Sequence, residues 1–161
     1  MSPFRIALAN LPFPATPEES VALAEQAIAE ASREQAAIIC FPECYVPGYR
    51  GMGRMPPPPD PAFLERAWSA IASAAARANL AVVLGTERVV DGALLISALV
   101  IDRDGTVAGF QDKVQLDPSE EAIYSPGAFS SPARSPSASP SATKAFAIRK
   151  RSAGPSATAP R

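Results

Sequence analysis

Residues 80–110 read LAVVLGTERVVDGALLISALVIDRDGTVAGF, and their punctuation decides the fold. Leu80 to Gly85 is a short apolar run of the kind that forms a buried strand. Asp91-Gly92 is a two-residue hairpin signal, because both residue types tolerate the positive φ that such a turn demands. Ala93 to Ile101 follows as a strand. Asp104-Gly105 then turns the chain into a further strand, Val107 to Gln111. Upstream the period changes. Asp60-Pro61 opens a helix whose Leu64, Trp68, Ile71 and Ala75 form one stripe. Before it, Pro42 to Pro61 is a long loop rich in proline and glycine, and loops of that length usually carry function or move. Ala36 to Phe41 is a buried strand. Thr16-Pro17-Glu18-Glu19 opens another helix, with Thr16 as cap, Pro17 at the first helical position and Glu19 completing a capping box. Val21, Ala24, Ile28 and Ala31 are its apolar stripe. Phe4 to Ala9 is the first strand. The order β-α-β-loop-α-β-β-β predicts an α/β fold whose sheet mixes parallel and antiparallel pairs.

Composition narrows the chemistry. The chain of 161 residues has no histidine, which excludes a Ser-His-Asp triad, a Cys-His pair and a His-ligated metal within it. Two cysteines, Cys40 and Cys44, are too few for a disulfide framework or a four-thiolate zinc site. No apolar run approaches the roughly 18–20 residues of a membrane span. Met1 to Leu11 lacks the basic and apolar regions of a secretory signal, so a reducing, cytoplasmic location is expected. Neither GxGxxG after a strand nor GxxxxGK[ST] is present, which argues against phosphate cradling.

The net charge of −1 conceals an asymmetry: residues 1–127 sum to −7 and residues 128–161 to +6. The last stretch is built largely from Ala, Ser, Pro and Arg. Phe129, Phe146 and Ile148 are its only large apolar side chains, too few to offset the entropy of ordering it. Two domains of description follow: an ordered part, 1–127, and a tail, 128–161, expected to be disordered or the product of a shifted reading frame. A basic tail could hold nucleic acid. Without interleaved aromatic residues or a basic motif, no nucleic-acid partner is expected.

Two ionisable residues stand at strand ends. Glu43 follows Ile38-Ile39-Cys40-Phe41 with only Pro42 between. Partial shielding there would raise its pKa towards neutrality and suit it to proton transfer, although a solvated loop acid would look the same. Lys113 follows the fifth strand, where its ammonium could face a developing oxyanion or simply be a surface charge. Glu120 and Glu121 come next, and either could pair with Lys113.

Four stretches together resemble the carbon–nitrogen hydrolases, the nitrilase-type superfamily. They are FRIALANL, AAIICFPECYVPGY, DGALLISALVIDRDGTVAGF and DKVQLDPSEEAIYSPG, in that order and spacing over residues 4–127. The resemblance implies an α-β-β-α sandwich, of which this chain would carry the first half. It implies Glu43 as general base, Lys113 as the lysine that stabilises the oxyanion, and Glu120 as a second glutamate, with Glu121 the neighbouring alternative. It further implies attack by a cysteine thiolate on a small amide, carbamoyl compound or nitrile, with no metal or cofactor, and assembly into homo-oligomers.

The departure from that pattern is the nucleophile. The resemblance places the cysteine beyond Gly127, where this sequence has none. Cys44 adjoins the base but lies in the wrong segment, and Cys40 lies inside a strand as a small buried apolar side chain. The chain is therefore expected to be cut off or frame-shifted before its nucleophile, to lack amidase activity and to expose an apolar sheet face. The other readings are a non-catalytic module that docks on an intact homologue and a small α/β metabolite binder.

Overall fold

The computed structural model describes residues 4–51 and 56–127. The tail assigned to 128–161 lies outside the described residues, as does part of the Pro42–Pro61 loop. Five strands and two helices follow in the order β1 (Ile6–Leu8), α1 (Pro17–Arg33), β2 (Ile38–Cys40), α2 (Pro61–Ala78), β3 (Ala81–Val90), β4 (Ala93–Ile101) and β5 (Val107–Asp112). The sheet order is β1-β2-β3-β4-β5. β1, β2 and β3 are parallel, joined by helical crossovers, and β3, β4 and β5 are antiparallel. This is the mixed α/β sheet that the sequence predicts.

The helix starts follow their local chemistry. Thr16 Oγ1 accepts from the Glu19 amide at 3.1 Å, and Asp60 Oδ1 accepts from the Phe63 amide at 3.0 Å. A proline occupies the first turn of each helix. Asp91 and Gly92 adopt φ of 50° and 81°, the positive pair that a tight hairpin requires. That turn sets nine residue pairs between β3 and β4 in register.

Strand lengths are where sequence and structure part. β1 and β2 are three residues each, shorter than Phe4–Ala9 and Ala36–Phe41. β3 runs to Val90 rather than ending at Gly85. Glu87 and Arg88 break its apolar run in the sequence, yet the hairpin carries pairing straight through them.

Both helices pack on one face of the sheet. Ala24, Ile28 and Ala31 of α1 and Ala67, Ile71 and Ala75 of α2 meet Ile39, Val82, Leu84, Leu99 and Ile101. The opposite face carries the alternate residues of each strand. There Ile6 is 58%, Leu8 79% and Val100 37% exposed. At one end of this second face a smaller cluster forms from Cys44, Ile96 and Tyr124, with Tyr49, Leu94 and Leu116 against it. Cys40 is half-buried, not buried as the strand pattern predicts, because it points to the open face beside Ile38 while Ile39 points to the helices.

Candidate active site

Glu43 is placed by surplus chain at the end of β2. Cys40 pairs with Val83 and Val46 pairs with Thr86, so a long stretch faces a short one on β3. The Phe41 amide still donates to Val83 O at 2.9 Å, and the Val46 amide rejoins the sheet by donating to Gly85 O at 3.2 Å. The residues between are thrown outward as a turn, closed by the Tyr45 amide on Pro42 O at 3.3 Å. Gly85 is what lets this turn lie on the strand. A Cβ at that position would stand 1.8 Å from Pro42 O, an impossible contact with backbone.

Lys113 sits just past β5 with its backbone held on both sides. Its amide donates to Ile96 O at 2.8 Å, and its carbonyl accepts from the Gly127 amide at 2.8 Å. Glu120 lies in the following turn. Its carbonyl accepts from the amides of Ile123 and Tyr124 at 2.9 and 2.8 Å. Its side chain folds back so that Oε2 accepts from the Asp117 amide at 2.8 Å.

These three side chains meet. Lys113 Nζ donates to Glu43 Oε1 at 2.9 Å and to Glu120 Oε1 at 2.8 Å. Tyr49 Oη donates to the same Glu120 oxygen at 3.0 Å. Glu121 is exposed on the turn, so the structure brings Glu120 and not Glu121 to the lysine. Burial differs sharply across the trio: the Glu120 side chain is 3% exposed, Lys113 29% and Glu43 46%. The shielding of Glu43 expected from its place after an apolar strand is thus only partial, and Glu43 is the most open of the three. The face it projects from is the one that no described helix covers.

The electrostatics follow from that geometry. Burial works against the Lys113 charge, but its bonds to Glu120 and Glu43 outweigh it and hold the ammonium above the ordinary lysine range. Burial likewise disfavours the Glu120 carboxylate. The Lys113 ammonium, the Asp117 amide and the Tyr49 hydroxyl prevail and lower its pKa. Tyr49 is pushed up to about 12 by burial and by the neighbouring Glu120. The lysine is thus a cation near neutral pH, fit to receive negative charge. Glu43 keeps one side to solvent.

Beside the trio lies a concavity of about 210 Å³ on the open face, lined by Phe41, Glu43, Val83, Gly85, Ala98 and Lys113 among others. Neither cysteine points to it as an activated thiol. Cys44 is fully buried with positive φ, and its sulfhydryl donates to Thr86 O at 3.8 Å. Burial, with the Glu87 carboxylate beside it, pushes that thiol well above the ordinary range. Burial raises Cys40 too. Among the described residues no group of three His, Cys, Asp or Glu gathers in a way that could hold a metal ion.

Sequence reasoning missed the polar network behind the trio. Glu87 is fully buried on β3 and is gripped by Arg50 through Nε at 2.7 Å and Nη2 at 3.0 Å. Tyr124 Oη donates to the same carboxylate at 2.8 Å. The available signal was a Glu-Arg pair interrupting an apolar strand, with a second arginine in the proline-rich loop.

Comparison with known proteins agrees with this architecture. The Carbon-nitrogen hydrolase family pattern matches residues 5–146. No curated protein matches the chain. An amidase from Nesterenkonia sp. superposes with a TM-score of 0.65 at 26% identity, over 78% of this chain and 48% of that one. A variant of the amidase from Nesterenkonia sp. AN1, with the acetamide moiety of fluoroacetamide covalently added at its active site cysteine, gives 0.64 at 25% identity, with 78% and 48% covered. The carbon-nitrogen hydrolase of Helicobacter pylori G27 gives 0.67 at 14% identity over 78% and 45%, a likeness of fold. The chain spans about half the length of these structures. With its mixed sheet and its match from residue 5 to 146, the chain belongs to the carbon–nitrogen hydrolase family.

Proposed function

We propose that Glu43, Lys113 and Glu120 are the base, the oxyanion-stabilising lysine and the second glutamate of an amidase-type site. The reading is carried by one observation: a single ammonium shared between two carboxylates at 2.9 and 2.8 Å, beside an open concavity. The reaction is hydrolysis of a non-peptide C–N bond in a small amide, carbamoyl compound or nitrile. A cysteine thiolate attacks the carbon, and the negative charge that develops on the amide oxygen faces Lys113. Glu43 takes the thiol proton and delivers it to the leaving amine, then activates water to cleave the thioester. Glu120 holds the ammonium in place and helps to keep it protonated.

The thiol is not Cys44 or Cys40. The first is buried against Thr86 O, and the second lies within β2. On this reading residues 1–161 hold three of the four working groups and do not turn over an amide by themselves. Unbridged cysteines accord with a reducing, cytoplasmic setting. The uncovered apolar face supports a second role, association with another carbon–nitrogen hydrolase chain or with a copy of itself.

Replacing the matching half of the Nesterenkonia amidase with residues 5–127 tests the assignment. The chimaera is expected to release ammonia from small amides, with a loss of about 10²-fold or more on Glu43→Gln or Lys113→Met. A folded chimaera whose rate ignores both substitutions would refute the roles. Turnover by the 161-residue chain that survives Cys40→Ala and Cys44→Ala would refute the statement about the thiol.

A further inference from the structure

The two carboxylates on Lys113 come from segments far apart in the chain, and something must hold those segments together. Glu43 rides on the turn after β2, and Glu120 on the turn after β5. Behind them a buried polar hub joins both. Glu87 lies between, on β3, with no exposure. Arg50, in the same loop as Glu43, grips it through Nε and Nη2. Tyr124, four residues after Glu120, donates to it through Oη. The Arg50 amide in turn donates to Tyr124 Oη at 3.3 Å, and Tyr49 stacks on Tyr124 with 6.4 Å between ring centroids. The hub is backed by backbone bonds: Val46 O accepts from the Glu87 amide at 3.1 Å, and the Ser125 amide donates to Leu94 O at 2.8 Å.

A buried ion pair of this kind is weak evidence for stability, since well-packed apolar residues can serve as well, but it specifies geometry strongly. We propose that Glu87 is a positioning residue: its carboxylate clamps the Glu43 loop to the Glu120 turn and so centres both carboxylates on the Lys113 ammonium. Arg50 and Tyr124 are the two jaws of the clamp. The inference rests on the reading of Glu43, Lys113 and Glu120 as one working unit, and it adds the residues that set their spacing.

The test reads titration rather than turnover, so absence of amide hydrolysis leaves it intact. Glutamate labelled with ¹³C at Cδ is introduced into the 161-residue chain, and the Glu120 carboxyl is followed by NMR against pH. The groups facing that carboxyl are Lys113, Glu43 across the ammonium, the Tyr49 hydroxyl and the Asp117 amide. The native chain should show Glu120 titrating below the ordinary glutamate value. In Glu87→Gln and in Tyr124→Phe it should move upward by about one unit, as the turn drifts and the bond to Lys113 weakens. Tyr124→Phe removes the hydroxyl's two hydrogen bonds, to Glu87 and from the Arg50 amide, and no bulk, so it decides the matter if Glu87→Gln does not fold. Ile71→Val, in the helix-facing core, serves as a destabilised reference and should leave the titration unmoved. An unshifted Glu120 in folded Tyr124→Phe, or an equal shift in Ile71→Val, overturns the proposal.

Discussion

At the residue scale the site is a question of charge balance around one buried acid. Glu120 is almost wholly removed from water, and Lys113 is the cation that makes this tolerable. Removing the ammonium by Lys113→Met leaves that carboxylate with the Asp117 amide and the Tyr49 hydroxyl, and should cost about 2–3 kcal/mol in a urea melt. The pH dependence has a definite sign. The Glu120 pKa is lowered on folding, so the stability it contributes is complete above the ordinary glutamate value of about 4.3 and is lost as pH falls through the lower folded value. Urea midpoints should therefore fall between pH 5 and pH 2, and Glu120→Gln should flatten that decline. A decline of equal slope in the variant would mean that other carboxylates carry it. Glu43 and Lys113 could be singled out in the sequence because each follows an apolar strand, although position alone left them open to a surface role and the family resemblance supplied the rest. The Arg50–Glu87–Tyr124 hub was not, since its members are scattered and only the folded chain brings them into contact.

At the element scale, turn chemistry and capping predict the order and type of every element, while strand ends escape. Thr16, Asp60 and Asp91-Gly92 each do locally what their residue types dictate. The length of β3 depends instead on its partner β4, and a sequence window cannot see a partner. The same holds for the excursion between Phe41 and Val46, which exists because the loop rejoins β3 at Thr86. Gly85 is the element-level counterpart of Glu43. A methyl group there meets the Pro42 carbonyl, so Gly85→Ala must push the turn away from the strand. The expected outcome is a loss of about 2–4 kcal/mol, in the range of severe backbone conflicts, together with loss of the Glu43–Lys113 contact. Crosslinking Glu43 to Lys113 with a zero-length carbodiimide reads that contact directly. Efficient crosslinking in Gly85→Ala would show that the turn holds its place without the close approach.

At the scale of the whole molecule the decisive feature is a sheet that the described residues cover on one side only. Helices α1 and α2 bury Val82, Leu84, Leu99 and Ile101 completely, while Ile6, Leu8 and Val100 on the other face stand in water. Apolar surface of this kind associates, and the outer edge of β1, which no other described strand pairs, adds to the attraction. The same openness accounts for the trio's uneven burial, because Glu43 projects towards solvent where a covering layer would shield it. The 161-residue chain is therefore expected to elute from a sizing column as a dimer or larger species, with light scattering that rises with concentration. Leu8→Glu with Ile6→Lys places charges on that face without touching the helix-packed core, and should shift the chain towards monomer while leaving its circular dichroism unchanged. A native chain that is monomeric at high concentration would mean that the open face is covered from within, by residues outside 4–127.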